Sequence, residues 1–422
     1  VSAAAAPFTL REGVLHCEDV DLRDVAQRFG TPTYVYSKAA ILGAYGRYAD
    51  ALRGRSAMVC YAVKANSNLG VLGLLARAGS GFDIVSGGEL ARVLAAGADP
   101  KRVVFSGVGK SEAEIDAALR AGIACFNVES PAELETIDRL GRAAGLRAPV
   151  SLRINPDVDP GTHPYISTGL KFNKFGIPAA HAEQLYRRAA QLAGVEVVGI
   201  DCHIGSQITS IGPYVEAAER VLDLVDRLAA AGIALRHVDF GGGVGIDYRE
   251  DEATPAVEDF IGALLACVDR RRHAELGVIV EPGRSIVGRA GVLLTRARVV
   301  KDGEAKNFVV VDAAMNDLLR PALYEAWMEV GAVVPRAGPV RRVDVVGPVC
   351  ESADWLARDR ELAVQAGDLL AIHGAGAYGM SMASNYNSRG RPAEVIVDRA
   401  AMHLVRRRET DDELFAGESL LG

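Results

Sequence analysis

Eight short apolar runs, each followed by a stretch of helical periodicity, succeed one another between residues 57 and 280, and this alternation narrows the possible folds more than any other feature. The runs are "AMVCYAV" (57–63), "FDIV" (82–85), "VVFS" (103–106), "IACFN" (123–127), "VSLRI" (150–154), "VVGIDCH" (197–203), "RHVDF" (236–240) and "GVIV" (277–280). Stretches between them such as "LGVLGLLARAG" and "SPAELETIDRLGRAAG" carry apolar residues three and four apart and a glycine near the end, as a helix and its C-terminal cap require. Ser86, Ser111 and Ser130 each stand three residues before a glutamate (Glu89, Glu114, Glu133), which predicts three capping boxes, and Pro131 suits a first helical position. A doubly wound open sheet shares the alternation, but eight successive units are the size of a closed α/β barrel, a (β/α)8 TIM-type fold expected over residues 36–285. After residue 290 the rhythm changes to strand-like runs without long helices: "GVLLTRARVV", "FVVVDA", "RRVDVVG", "DLLAIHG", "AEVIVD" and "MHLVRR". They predict a second, mostly β domain from 286–422, joined by residues 1–35.

With 422 residues, 49% hydrophobic and 24% charged, the chain can fill both cores. Its formal charge of −7, with basic residues scattered, argues against binding nucleic acid, which needs a clustered Lys/Arg excess. The six cysteines (Cys17, Cys60, Cys125, Cys202, Cys267, Cys350) form no CxxC pair and have no histidine at ligand spacing. Neither a metal site nor a disulfide framework is expected, and a reducing, cytoplasmic setting fits. "VSAAAAPF" lacks a basic leader segment and no apolar run reaches membrane length, so neither export nor a membrane span is expected.

In such a barrel, function is built from the C-terminal ends of the strands. There the sequence places Lys64, then Asp83 running into "SGGE" with Glu89, Arg153, His203 in "HIGSQ", the triple glycine Gly241, Gly242 and Gly243, and Glu281 in "EPGR". Taken singly each has an ordinary reading: a lysine reaching water, a core histidine, a glycine turn, a surface acid. Together they supply what pyridoxal 5'-phosphate needs. Lys64 would form the Schiff base, with burial at the mouth favouring its free amine; the glycines would admit the phosphate, and Glu281 would hold the pyridine nitrogen protonated.

The motifs "YAVKAN", "FDIVSGGEL", "HIGSQ", "DFGGGVG", "EPGR", "GPVCESAD" and "GAYGMSMASNYNSRGRPAEV" resemble those of the bacterial diaminopimelate decarboxylases. These are fold-type III pyridoxal-phosphate enzymes, whose alanine racemase-like fold joins the barrel to a β-rich domain. The resemblance runs from about "TPTYVYS" to "RPAEV". It implies Lys64 as the aldimine lysine, His203 against one ring face, Glu281 at the ring nitrogen, and Asp83 and Arg153 tuning the site. Ser206, Gly243, Gly283, Arg284 and Tyr378 would surround the phosphate. Cys350 and Glu351 would reach into the active site of the other subunit of a homodimer. Arg284, Arg320, Tyr324, Tyr378 and Glu351 would bind the distal end of the substrate, where two arginines suit a second carboxylate better than the lone ammonium of ornithine or lysine. The implied reaction is loss of CO2 from the D-configured centre of meso-2,6-diaminopimelate through an aldimine and a quinonoid. It gives L-lysine, the last step of lysine biosynthesis, with the proton returned by Lys64 or Cys350. The alternatives are a related decarboxylase of ornithine, lysine or arginine, a racemase, and a non-catalytic homologue that keeps the fold.

Overall fold

The computed structural model describes residues 6–159, 174–249, 251–271, 273 and 275–422. It divides into two units: one of residues 44–246 and 253–285, the other of the chain up to Gly43, residues 247–252 and the chain from Ile286 onward.

The first unit is a closed barrel. Its strands are β1 (Ala57–Ala62), β2 (Gly81–Ile84), β3 (Val103–Phe105), β4 (Cys125–Val128), β5 (Ala148–Asn155), β6 (Val195–Asp201), β7 (His237–Asp239) and β8 (Gly277–Val280). Each pairs in parallel with the next, and β8 pairs with β1 to close the ring. Helices cover the outside, so most strand residues are buried on both faces, which is why the strands read as unbroken apolar runs. Met58, Cys60, Val104, Cys125, Val198 and Ile279 fill part of the interior. Polar residues then take over, for Asp201 and Asp239 end β6 and β7 and Glu281 directly follows β8.

Two expected strand ends are corrected. β1 stops at Ala62 and Lys64 lies on the single 3-10 turn Val63–Ala65, where the Tyr61 hydroxyl donates to the Asn66 carbonyl at 3.0 Å and folds the segment back. β6 stops at Asp201, leaving His203 two residues into the loop. Of the three capping boxes only Ser111 with Glu114 is complete. The Glu89 carboxylate accepts from Val85 N–H and that of Glu133 from Glu129 N–H and Lys110, so at Ser86 and Ser130 only the serine half forms.

The second unit holds a sheet ordered Trp355–Leu362, Arg341–Val346, Asn307–Val311, Gly291–Lys301, Thr33–Ser37, Ala393–Asp398 and Ala401–Arg406. Leu369–His373 joins Gly291–Lys301 and carries the short Val330–Ala332. An N-terminal meander, Phe8–Arg11, Val14–Cys17 and Val20–Asp21, supplies Val14, Leu15 and Cys17 to a core shared with Val35, Val292, Leu294, Ala371 and Val395.

Candidate active site

Four of the expected residues meet in direct pairs at the C-terminal end of the barrel. The Lys64 ammonium lies 2.5 Å from an oxygen of Asp83, a wholly buried residue of β2. The Lys64 side chain is 37% exposed, where burial was expected from sequence, and its partner is a wholly buried carboxylate. The second Asp83 oxygen is buried with no hydrogen-bond donor among the described residues. After β8, Arg284 donates to the Ser206 hydroxyl at 3.0 Å, which puts a guanidinium and a hydroxyl side by side.

His203 accepts at Nδ1 from the Gly242 N–H at 3.2 Å. Burial, reinforced by the nearby charges of Arg153 and Lys64, holds its pKa well below the usual histidine value. The ring is therefore neutral with its proton on Nε2. The triple glycine is dictated by packing. A Cβ on Gly241 would come within 2.7 Å of the Cys202 carbonyl, one on Gly242 would strike the Glu281 carbonyl, and one on Gly243 the Gly205 carbonyl. Gly241 and Gly243 also have positive φ, so the loop closes tightly against the ends of β6 and β8 in a way only glycine permits.

Arg153, on β5, sits between Glu129 at 2.8 Å and Asp201 at 3.8 Å, with its guanidinium 5.1 Å from the Phe175 ring centre. Burial works against its charge, but Glu129, Asp201 and Glu281 outweigh burial and raise its pKa. Glu281 is buried, and desolvation together with Asp239, Asp83 and Asp201 drives its pKa well above the carboxylate range. Gly283 is also packed tightly, a Cβ there meeting Ala62 and Ala65 at 3.0 Å.

The remaining candidates belong to the β-rich unit. Arg320 opens the short helix Arg320–Tyr324; it is buried, with its guanidinium 4.5 Å from the centre of the Tyr248 ring and a contact to Met328 Sδ at 3.4 Å. Tyr324 ends that helix and is half-buried. Tyr378 has a positive φ of 55° in the glycine-rich turn after Leu369–His373. Cys350 and Glu351 are exposed; the Cys350 N–H donates to Asn387, and Glu351 accepts from Tyr386.

Sequence reasoning passed over Asp201, Asp239, Asn127 and Glu129, all buried beside the named residues. The available signal was an acid inside an apolar run, "VVGIDCH" and "RHVDF", at an inward-facing strand end. Lys110 was also missed: its buried ammonium donates to the Gly107 and Asn127 carbonyls and pairs with Glu133 at 2.6 Å, locking the ends of β3 and β4 together.

The parallel barrel carries a lysine, a glycine loop and a buried acid at its mouth, and its pyridoxal-dependent class is shown by residues 38–288, which match the family model described as pyridoxal-dependent decarboxylase, pyridoxal binding domain. The chain is 60% identical to the diaminopimelate decarboxylase of Pseudomonas aeruginosa over 98% of its own length and 99% of that protein, and 54% identical to that of Vibrio cholerae over 97% and 98%. Among solved structures, the Helicobacter pylori diaminopimelate decarboxylase complexed with L-lysine superposes with a TM-score of 0.90 at 44% identity, over 94% of this chain and 98% of that one. The Selenomonas ruminantium lysine decarboxylase gives 0.81 at 26%, over 92% and 97%. The chain belongs to the diaminopimelate decarboxylase family.

Proposed function

We propose that this chain decarboxylates meso-2,6-diaminopimelate to L-lysine and CO2, the last step of lysine biosynthesis, using pyridoxal 5'-phosphate bound at the barrel mouth. The observation that carries the reading is the convergence of the Lys64–Asp83 pair, neutral His203 and buried Glu281 in a chain 60% identical to a protein of that name.

The residues fit the cofactor. Buried carboxylates at Asp83, Asp201, Asp239 and Glu281 outnumber the nearby cations Lys64 and Arg153, which suits a group bearing a protonated ring nitrogen. Lys64 would carry the aldehyde, Glu281 the ring nitrogen and His203 one ring face, with Asp83 and Arg153 tuning their charge. Ser206, Gly241, Gly242, Gly243, Gly283, Arg284 and Tyr378 would hold the phosphate. When bound, pyridoxal phosphate supplies the aldehyde that captures the substrate amine and the conjugated ring that accepts the electron pair left by CO2.

The protein's own groups do the rest. Asp83 orients Lys64. Neutral His203 adds no positive charge and presents a flat surface. Glu281 keeps a proton at the ring nitrogen. Arg284, Arg320, Tyr324 and Tyr378 would bind the distal amino-acid end of the substrate, with Glu351 near its amine. Cys350 and Glu351 would act in the partner's site within a homodimer, which accounts for two functional residues lying exposed on this chain. In this reading the barrel carries the cofactor, and residues 1–35 and 286–422 complete the site and the dimer interface.

The test is lysine and CO2 formation from meso-diaminopimelate with added pyridoxal phosphate, beside Lys64→Ala and with ornithine, lysine and arginine as competing substrates. Lysine from the parent and none from Lys64→Ala is expected. Turnover of ornithine, lysine or arginine alone would overturn the substrate assignment.

A further inference from the structure

The barrel mouth buries more negative charge than this account uses. Asp201, Asp239 and Glu281 each place a carboxylate oxygen within 4.8 Å of the others, and none of the three residues is more than 6% exposed. They come from the ends of β6, β7 and β8. The charged groups around them include Asp83 and Lys64, paired with each other, Glu129, which adds to the negative charge felt by Asp201, and Arg153, which is bonded to Glu129 at 2.8 Å and lies 3.8 Å from Asp201.

A second observation concerns an amide. Asn127, fully buried on β4, donates to the Ser106 hydroxyl at 3.1 Å and to Glu281 at 3.5 Å, while its own carbonyl oxygen has no donor among the described residues. Among the described residues, one oxygen each of Asp201 and Asp239 has no donor as well. Ionised carboxylates only accept, so this group of side chains is short of a donor. Three like charges this close in a water-poor interior do not all ionise.

We infer that Asp201, Asp239 and Glu281 share a proton at the barrel mouth, and that Asp239 is the positioning residue that sets the protonation state of Glu281. Asp239 is itself fixed by the Gly241 N–H, which donates to it at 2.9 Å and ties the acid cluster to the glycine loop. The electrostatics agree in direction: burial pushes Asp239 up to about 7, and burial with mutual repulsion drives Asp201 and Glu281 well above the carboxylate range.

The role toward the cofactor rests on the function proposed above. Were the cofactor's ring nitrogen held by Glu281, the shared carboxylic acid would be its proton donor, the carboxyl O–H bond breaking as the N–H bond forms. The proton is thus supplied from within the barrel rather than from solvent. The cluster would go from two negative charges to three as the ring gains one positive charge, so the third anion would form only with that cation held against it, and charge is conserved.

The first test uses the full chain without added cofactor. Infrared spectra should show the carbonyl stretch of a protonated carboxylic acid at neutral pH, and Asp239→Asn should remove or halve it. Asparagine keeps the acceptor for Gly241 N–H but cannot take part in the sharing. Stability should respond as well. A carboxyl raised from 3.8 to about 7 contributes stability that is present at low pH and lost as pH rises through that window. Asp239→Asn should therefore gain stability relative to the parent as pH rises from about 5 to about 7.5, and Asp201→Asn should move in the same direction. A missing infrared band, or a stability difference between Asp239→Asn and the parent that does not change with pH, would overturn the shared proton. With pyridoxal phosphate bound, Asp239→Asn should lower kcat about tenfold, the equivalent of one pKa unit, with KM changed less than about twofold. An unchanged kcat would overturn the positioning role. A parent enzyme inactive on diaminopimelate that still shows the band would instead count against the proposed function alone.

Discussion

Arg153 and its two acids show how strongly single side chains are constrained at this site. The guanidinium is nearly buried, bonded to Glu129 at 2.8 Å and close to Asp201, while Glu129 also accepts the Gly107 and Gly176 N–H groups. Removing only the cation leaves two carboxylates buried beside the Glu281 cluster. Arg153→Met should therefore cost about 3–5 kcal/mol, more than a cavity of that size alone, and should be read as a lower urea midpoint at constant slope. Part of the loss should return as pH falls, because Asp201, already held well above the carboxylate range and now without the lowering influence of Arg153, can take up a proton. Lys64, His203 and Glu281 were legible in the sequence because each follows an apolar run at a barrel strand end, where placement and chemistry coincide. Asp201 and Asp239 were not, since a single acid within a strand reads as an interruption of the pattern until the closed ring sets it beside two others. Lys110 was equally hidden: nothing in "GVGKSEAE" indicates that its ammonium folds inward onto two carbonyls and Glu133.

At the level of elements, the loop after β7 and the helix before β8 predict opposite responses to the same substitution. Gly242→Ala would drive a methyl group into the Glu281 carbonyl, a backbone atom that cannot swing away, so the loop and the end of β8 must separate. The variant should lose pyridoxal phosphate affinity by at least about tenfold in a fluorescence titration, and a loss of 1–3 kcal/mol in stability should accompany it. Gly262 lies exposed in the helix Val257–Arg270, and a Cβ there meets nothing within 4 Å. Gly262→Ala should stabilise the protein by about 0.8–1 kcal/mol and leave cofactor binding unchanged. The barrel strands could be read from sequence because burial on both faces makes them continuously apolar. Trp355–Leu362, "WLARDREL", was missed because it lies at a sheet edge, where only two of its eight residues are buried and charges replace the apolar run. Thr33–Ser37 was placed only loosely with the β domain; five residues between two helices carry too little pattern to show that they pair centrally with Gly291–Lys301 and Ala393–Asp398.

For the whole molecule, the proposed homodimer turns on two residues that are exposed on this chain, Cys350 and Glu351. Both sit on a surface segment steadied by Asn387 and Tyr386, and Asn387 and Ser388 are held at positive φ, a conformation that costs non-glycine residues and persists where surrounding structure enforces it. If these residues complete the partner's site, each active site draws Lys64 from one chain and Cys350 from the other, and a defect in either can be offset by a partner that lacks the other defect. Lys64→Ala and Cys350→Ala homodimers should each be nearly inactive. Mixed in equal amounts and allowed to exchange subunits, half the dimers become heterodimers in which one of the two sites carries both native residues, so roughly a quarter of the parental activity should return. Recovery should follow the rate of subunit exchange and vanish when the dimers are cross-linked before mixing. If both residues act within their own chain, every site in the mixture keeps one defect and no activity returns at any mixing ratio.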